Sequence, residues 1–497
     1  MSGAGRVRRV AAAGLVGLLG AVGGLAGAGG TRPARADSAG RWDAGRISFV
    51  PLAGTTLGAH GAGSYRGSLE VGPDGGGIGV VNVVGLEDYV AGISEVPPDW
   101  PAAALQAQAI AARTYGVWSM LTHRSTGGLD PQICASDDCQ VYRGLARDAE
   151  PGDAAWAAAV KATAGQVLMY GNDVIEAVYG SSDGGQTTYG GVPWLPAVSD
   201  PDDAVSPEHQ WTWSAPLSDL SAPLGVPDGW SLTGLVSRGG NNIEVDLRAD
   251  DGSGRTTTDN LGAGNFHYLL NTRMGAPNGL PLPLPSWRFQ VSTSGTDAVV
   301  RGWGFGNGMG MSQYGALGKA ERGWNAAQIL AAYYGPARSV RLGSAQIPQT
   351  IRVAVADGLS STTVHANGPF LLEDGAGNVL TTGAAGAWRV TTSSSGVEVS
   401  APAGFSAGAA AAPASPPVTA PTPAPAVLTA AAPSVVAKRT DAAGPAALRV
   451  PGPRRDGASY ALAGLAAVLL LSVGGGALAG RRRYGRRVPA RSSISQA

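Results

Sequence analysis

From Gly302 to Gly310 the chain reads GWGFGNGMG, with glycine at every second position, and it runs on into MSQYGA at 311–316. Two is the strand period, so an extended run here has one bare face and carries Trp303, Phe305, Asn307, Met309 and Met311 on the other. A bare face admits another backbone, or a flat ligand, at close range. A dinucleotide-binding loop is excluded, because the G-x-G-x-x-G step is absent. The alternative to a ligand-lining strand is a glycine-rich loop.

The termini point to a compartment. MSGAGRVRRV carries Arg6, Arg8 and Arg9 ahead of an apolar, Ala/Gly/Leu-rich run from Val10 to about Gly30. Ala34 and Ala36 then supply small residues at the two positions a signal peptidase reads. Residues 1–36 are expected to be an export signal, with an uncleaved anchor as the alternative. Tyr460 to Gly480 is uncharged and long enough to cross a bilayer, and RRRYGRR follows at 481–487, which keeps that end cytoplasmic. The expectation is an exported, surface-displayed body held by one transmembrane helix over 459–480, with a basic tail over 481–497. Residues 402–458 are dominated by Ala, Pro, Ser and Thr, as in AAAAPASPPVTAPTPAPA, and read as an extended spacer that cannot bury a core.

The formal charge of zero hides a division. Eleven of the 36 basic residues lie in the leader or the tail, where no Asp or Glu stands. The body between them carries 25 basic against 36 acidic residues. Such an acidic balance argues against a nucleic-acid partner, which requires a basic footprint.

Strand-like pieces RISFV, SYRGSLEV and GIGVVNVV occupy 46–84, separated by Gly, Pro and Asp turns. Pro97, Pro98 and Pro101 bar a helix before 101; from there to about Leu121 helix formers dominate, with Asp99 as the expected cap and Pro101 in the first turn. Leu105, Ala109, Ala112 and Gly116 form a narrow small-residue seam that implies close packing, while Gln106 and Arg113 share another face. Beyond lie a short helix to Thr163, a strand-turn-strand, a Ser/Gly loop at 181–185 and mixed short strands over 197–300. Two short helices, Gln313–Arg322 and Ala326–Tyr334, precede alternating strands over 349–401. The expected fold is α+β: mostly short strands, with one long buried helix flooring a cleft in a domain over 37–345, and a small all-β module over 346–401.

Cys134 and Cys139 are the only cysteines. In an exported chain a C-x4-C pair is most simply a local disulfide; the alternative is zinc held by both thiolates with His123. No other cofactor is expected.

Four landmarks in register resemble the SpoIID/LytB family, the stage II sporulation protein D domain of bacterial cell-wall proteins. They are LEDYVAGISEVPPDWPAAALQAQAIAARTY, CQVYRG, AVYGSSDGGQT and GWGFGNGMGMSQYGALGKAERGWNAAQILAAYYG, spanning roughly 64–343. The resemblance implies action on the glycan strands of peptidoglycan, in wall remodelling or sporulation. Enzymatic members are lytic transglycosylases that cut between N-acetylmuramic acid and N-acetylglucosamine, preferentially in strands stripped of stem peptides. Other members are described as enhancers of cell-wall amidases, which makes an amidase a second expected partner. The family's essential glutamate falls on Glu95 and its functional arginine on Arg113. By the same resemblance Ser181, Ser182, Gly184, Gly185, Asn307, Ser312, Gln313 and Tyr314 would line the glycan cleft. Where the family pattern G-x-G-H-G-x-G-M-S-Q has histidine, this chain has Asn307, which can hydrogen-bond a sugar hydroxyl but cannot take a proton. Some members bind zinc through a His and two Cys, with a spacing different from His123, Cys134 and Cys139.

The chemistry fits a single carboxyl. Glycoside hydrolases usually show a carboxylate pair. A transglycosylase can use one group, because the nucleophile is the sugar's own 6-hydroxyl: the acid protonates the leaving oxygen, and the carboxylate then deprotonates that hydroxyl, giving a 1,6-anhydro product. Glu95 lies between YVAGI and Val96-Pro97-Pro98, surroundings that raise a carboxyl pKa. Arg113 would orient Glu95 or hold a sugar oxygen; the plain alternative is an ion pair on the helix.

Overall fold

Strands from the two ends of the body interleave. In one seven-stranded sheet the order is Arg35–Ala36, Arg41–Ala44, Gly396–Ser400, Gly386–Ser393, Ser361–Ala366, Leu57–Ala59 and Gly63–Tyr65. In the other it is Val379–Gly383, Phe370–Asp374, Ile47–Pro51, Ser68–Asp74, Gly77–Gly85, Thr350–Leu359 and Ile133–Cys134. The separate β module expected over 346–401 is therefore corrected. Thr350–Leu359 runs antiparallel to Gly77–Gly85, and Phe370–Asp374 antiparallel to Ile47–Pro51. Period-two patterning marks which face of a strand is buried, but it does not name the strand's neighbour. The shared core includes Phe49, Phe370 and Trp388, with Phe370 in ring contact with both of the others at 5.3 and 5.0 Å. Burying rings of this size stabilises by roughly 1.5–3 kcal/mol each, so the N-terminal and C-terminal strands hold one another in place.

The computed structural model describes residues 35–36 and 40–405, apart from 60, 62, 126, 240–243 and 278–279. Most of the expected export signal, the spacer beyond 405, the span expected at 459–480 and the basic tail lie outside the described residues. Among the described residues, no helix is long and apolar enough to cross a membrane.

The helix Ala102–Thr122 is buried on more than one side. Leu105, Ala109, Ala112 and Val117 join the core beneath the large sheets, while Ala107, Ile110 and Ala111 join a second core with Ile329, Leu330 and Tyr333. This two-sided burial is why alanine dominates its sequence. The seam packs tightly: a Cβ on Gly116 would stand 3.2 Å from the Tyr89 ring. Its start differs from expectation. Pro101 is the N-cap residue, and its carbonyl accepts from Ala104 and Leu105 N–H, whereas Asp99 is exposed two residues earlier. Proline presets the entry angle, so no side-chain cap is needed there.

Residues 211–302, read from the sequence only as mixed short strands, build a lobe with its own core. One three-stranded sheet joins Trp211–Pro216, Asp297–Gly302 and Phe289–Ser294; another joins Ser231–Arg238, Glu244–Asp250 and Thr256–Gly262. The helices Leu217–Ser221 and Ala263–Arg273 cover them, and Trp213, Leu235, Phe266, Leu270 and Phe289 fill the interior. The lobe enters and leaves the chain between the Ser/Gly loop and the glycine run.

Candidate functional site

The glycine run is not an extended strand. Continuous strand pairing ends at Gly302 and resumes at Met311–Ser312, with single bridges at Phe305 and Gly306 between them. Between them Gly304, Gly306, Gly308 and Gly310 all take left-handed φ angles, from +67° to +108°. A Cβ on Gly310 would stand 1.8 Å from the Val178 carbonyl oxygen, and one on Gly304 2.5 Å from that of Ser182. Another backbone, not a ligand, thus occupies the glycine side, which corrects the reading of a flat bare face. The run is laid along the segment 178–184: Met311–Ser312 pairs in parallel with Tyr179–Gly180, and Phe305 bridges to Ser182. Asn307 is exposed, and its side-chain oxygen accepts from Met309 N–H at 2.8 Å.

Both segments are tied to Asp203, fully buried on the short helix Pro201–Val205. Its carboxylate accepts from the Ser182 hydroxyl at 2.7 Å, the Ser312 hydroxyl at 2.7 Å, the backbone N–H groups of Asp183 and Gly184 at 3.1 and 3.0 Å, and His209 Nδ1 at 2.8 Å. Ser182 and Ser312 were expected to bind ligand; their hydroxyls are engaged with Asp203 instead. Ser312 also caps the helix Gln313–Glu321 by accepting from Gly315 N–H at 2.9 Å. Gly184 and Gly185 make the tight turn of the Ser/Gly loop at φ +64° and +94°, and Gly185 N–H donates to Asp183. The Ser181 carbonyl accepts from Tyr314 N–H at 3.0 Å.

This scaffold brings Gln313 beside Glu95. Glu95 Oε1 accepts from Val141 N–H at 2.6 Å, and the side chains of Gln313 and Tyr179 also favour its charged form. Burial outweighs these donors and raises the Glu95 pKa. Behind it runs a chain of donors. Tyr89 OH donates to Gln140 Oε1 at 2.6 Å, and Gln140 Nε2 donates to Tyr179 OH at 2.8 Å, so the Tyr179 hydrogen is left to face Glu95. The buried Gln313 side-chain nitrogen faces Glu95 and makes no other hydrogen bond among the described residues. The amide has two N–H groups, and the one not spent on Glu95 is a place for a ligand oxygen. Tyr314 packs edge-on against Trp100, which follows Glu95 in the same loop, with ring centroids 5.3 Å apart.

Arg113 is placed elsewhere. Its guanidinium is fully buried and pairs bidentately with Glu87 at 2.9 and 2.7 Å, with further bonds to the carbonyls of Ala109, Val160 and Gln166. The plain reading of an ion pair is the one observed, because the helix is buried on the side that carries Arg113. A different arginine steadies the Glu95 loop. Arg147, 1% exposed, donates to the Ser94 hydroxyl at 3.3 Å and the Val96 carbonyl at 3.1 Å, one residue on either side of Glu95, and pairs with Glu150 at 2.6 Å. Ser94 N–H also donates to the Val141 carbonyl at 2.8 Å.

That Val141 segment follows a disulfide between Cys134 and Cys139, whose Cα atoms are 5.6 Å apart. With both sulfurs joined there are no thiolates for zinc, and His123 Nε2 sits 2.9 Å from Asp130 instead. A second group with metal-ligand chemistry is Asp183, Asp200 and Asp203, all buried with an oxygen of each within 4.8 Å of the others. Protein donors already fill most of it: Lys319 and Tyr333 take the two Asp200 oxygens, and Asp203 has the five donors described. The second Asp183 oxygen faces the Asp200 carboxyl.

Burial and the neighbouring Asp200 and Asp203 push the Asp183 pKa from 3.8 up to about 8. The folded state therefore binds this proton more tightly than the unfolded state. The resulting stability is complete below the unfolded value and is lost as pH rises through the folded one. Asp183→Asn keeps an acceptor for Gly185 N–H and removes the titration. The melting temperature of the wild type, relative to this variant, is expected to fall between about pH 4 and about pH 8; a difference that stays flat across that range rejects the assignment.

Of the residues at this centre, Gln140 and Tyr179 lie within recognisable motifs, CQVYRG and AVYGSSDGGQT, but neither was singled out. Arg147 and Asp203 carried no motif signal at all.

A family model described as Stage II sporulation protein matches residues 74–170, which include Glu95, Arg113 and Arg147. The chain is 30% identical over 277 residues to Stage II sporulation protein D of Bacillus subtilis (strain 168), covering 51% of this chain and 74% of that protein. It is 29% identical over 274 residues to Stage II sporulation protein D of Bacillus amyloliquefaciens, again over 51% of this chain and 74% of the relative. It is also 28% identical over 286 residues to a protein of Bacillus subtilis (strain 168) named Amidase enhancer, covering 48% of this chain but 38% of that protein.

Proposed function

Because this chain belongs to the stage II sporulation protein D family, we propose that it acts on the glycan strands of cell-wall peptidoglycan as a lytic transglycosylase, with Glu95 as both acid and base. The observation that carries this reading is the setting of Glu95: a half-buried carboxyl with a raised pKa, beside a buried Gln313 amide that has no other partner among the described residues. In the protonated form Glu95 gives its proton to the glycosidic oxygen as the bond from that oxygen to the muramyl C1 breaks. The carboxylate so formed takes the proton of the 6-hydroxyl of the same sugar, whose oxygen closes onto C1. The proton returns to Glu95 and no water is consumed. Val141 N–H, Tyr179 and Gln313 stabilise the transient carboxylate, and the second Gln313 N–H can hold a sugar oxygen in place. The acid form is required first, so the rate falls as pH rises through the raised pKa. Export, and a tether through 459–480, place the site at the cell wall.

Incubating the full-length protein with glycan strands freed of peptides is expected to release soluble fragments. Failure to release them from stripped and from peptide-bearing glycan alike rejects the reading. The similarity to a protein named Amidase enhancer, together with Asn307 in the histidine position, favours a second reading: a non-catalytic glycan binder that raises the rate of a cell-wall amidase. Glu95→Gln separates the two, since an enhancer keeps its effect on amidase turnover without that carboxyl.

A further inference from the structure

We propose that Trp287, on the inserted lobe, is a stacking subsite for an uncharged sugar ring, and that it lengthens the glycan-binding surface beyond the Glu95 centre. The inference rests on the glycan reading above.

Trp287 is 49% exposed although one face of its ring is covered: His267 stacks on it at 4.3 Å between centroids, with the planes 9° apart. A ring sandwiched on one side and half exposed presents its other side to solvent. The support is rigid. Asn271 bonds the His267 ring at 3.2 Å and is itself fixed by the Leu284 N–H and carbonyl at 2.8 and 2.9 Å. Burial lowers the His267 pKa, which keeps the imidazole neutral. Tyr268, the next residue on that helix, is 61% exposed.

The segment that carries Trp287 is bonded to the scaffold of the candidate site. Ser286 pairs in parallel with Gly306, Pro285 O accepts from Gly306 N–H at 3.0 Å, and the Ser286 hydroxyl donates to the Trp303 carbonyl at 2.7 Å. Phe305 then bridges to Ser182, and the Ser182–Asp203–Ser312 bonds lead to Gln313 beside Glu95. The adjacent cation is turned away: Arg288 lies over Trp303 at 5.8 Å and donates to the carbonyls of Asp183 and Gln186. A fixed, half-open indole on a neutral imidazole, with its neighbouring guanidinium engaged elsewhere, suits the C–H face of a pyranose better than a phosphate or an acidic peptide.

The test titrates the full-length protein in detergent micelles with short and long oligomers of N-acetylglucosamine, and measures its mass by light scattering. Trp287→Ala is expected to weaken the long oligomer about tenfold and leave the short one unchanged, and Trp287→Phe, which keeps a flat ring, to recover most of the loss. Equal binding of the long oligomer by wild type and Trp287→Ala overturns the subsite and leaves the glycan reading standing. No binding by the wild type removes both. A loss shared by short and long oligomers and not recovered by Phe shows a structural role, and a fall in mass in Trp287→Ala shows a contact between copies; either result overturns the proposal.

Discussion

Glu95→Gln is expected to lower glycan cleavage by at least about a thousandfold, since one group supplies both the acid and the base step and such roles each contribute roughly 10²–10⁴. The amide still accepts from Val141 N–H through its oxygen, so the loop geometry survives. It has no proton to give and cannot take one. Stability is expected to hold or rise, because burial already disfavours the charged carboxylate. Initial rates of soluble glycan release, read alongside thermal unfolding, check both halves. A folded variant that cleaves at the wild-type rate removes Glu95 from the chemistry.

Asp203→Ala is the second large effect, and it acts on architecture first. The change removes the carboxylate that accepts from two buried hydroxyls, two backbone N–H groups and His209, leaving the Ser312 hydroxyl and Gly184 N–H only longer bonds of 3.4 Å. A buried acceptor of charge-assisted bonds removed in this way costs about 4 kcal/mol. Cleavage falls with it, because Ser312 loses its shortest side-chain bond, one of those that fix the start of the Gln313 helix against the Ser/Gly loop. Asp203→Asn retains the shape and one acceptor oxygen, so its cost is intermediate, with kcat recovering more than in the alanine variant. Denaturant midpoints and kcat for the pair give the comparison. An alanine variant as stable as the wild type would show that the two segments do not depend on this carboxylate.

What the sequence disclosed follows from how local each signal is. The helix over 102–122, the helix starting at Gln313 and the Asn325-capped helix Ala326–Tyr334 rest on prolines, caps and helix formers within a few residues, and the structure places them accordingly. Asn325 even forms a full capping box with Gln328. The disulfide, too, was readable from a short spacing and the expected export signal. Partnership across the chain was not. Nothing in IRVAVADG says that it lies beside GIGVVNVVG, and nothing in the mixed strands over 197–300 announces a lobe with its own core. The glycine run shows how a correct pattern can carry a wrong geometry: alternate glycines do mark close approach, but through left-handed backbone packed on 178–184 rather than through a flat strand. The site divides the same way. Glu95 and Gln313 stand in motifs, whereas Arg147 and Asp203 act by bonds to residues far from them in sequence. Arg113, the arginine the motif offered, is closed off by Glu87.

The central claim is that the sugar's own hydroxyl, and not water, attacks C1 at Glu95. Digesting peptide-free glycan with the full-length protein in water enriched in heavy oxygen, and weighing the fragments by mass spectrometry, tests it directly. Fragments one water lighter than hydrolysis products, with no heavy oxygen at the new end, are expected; fragments carrying the label at a newly formed reducing end would contradict the 6-hydroxyl attack.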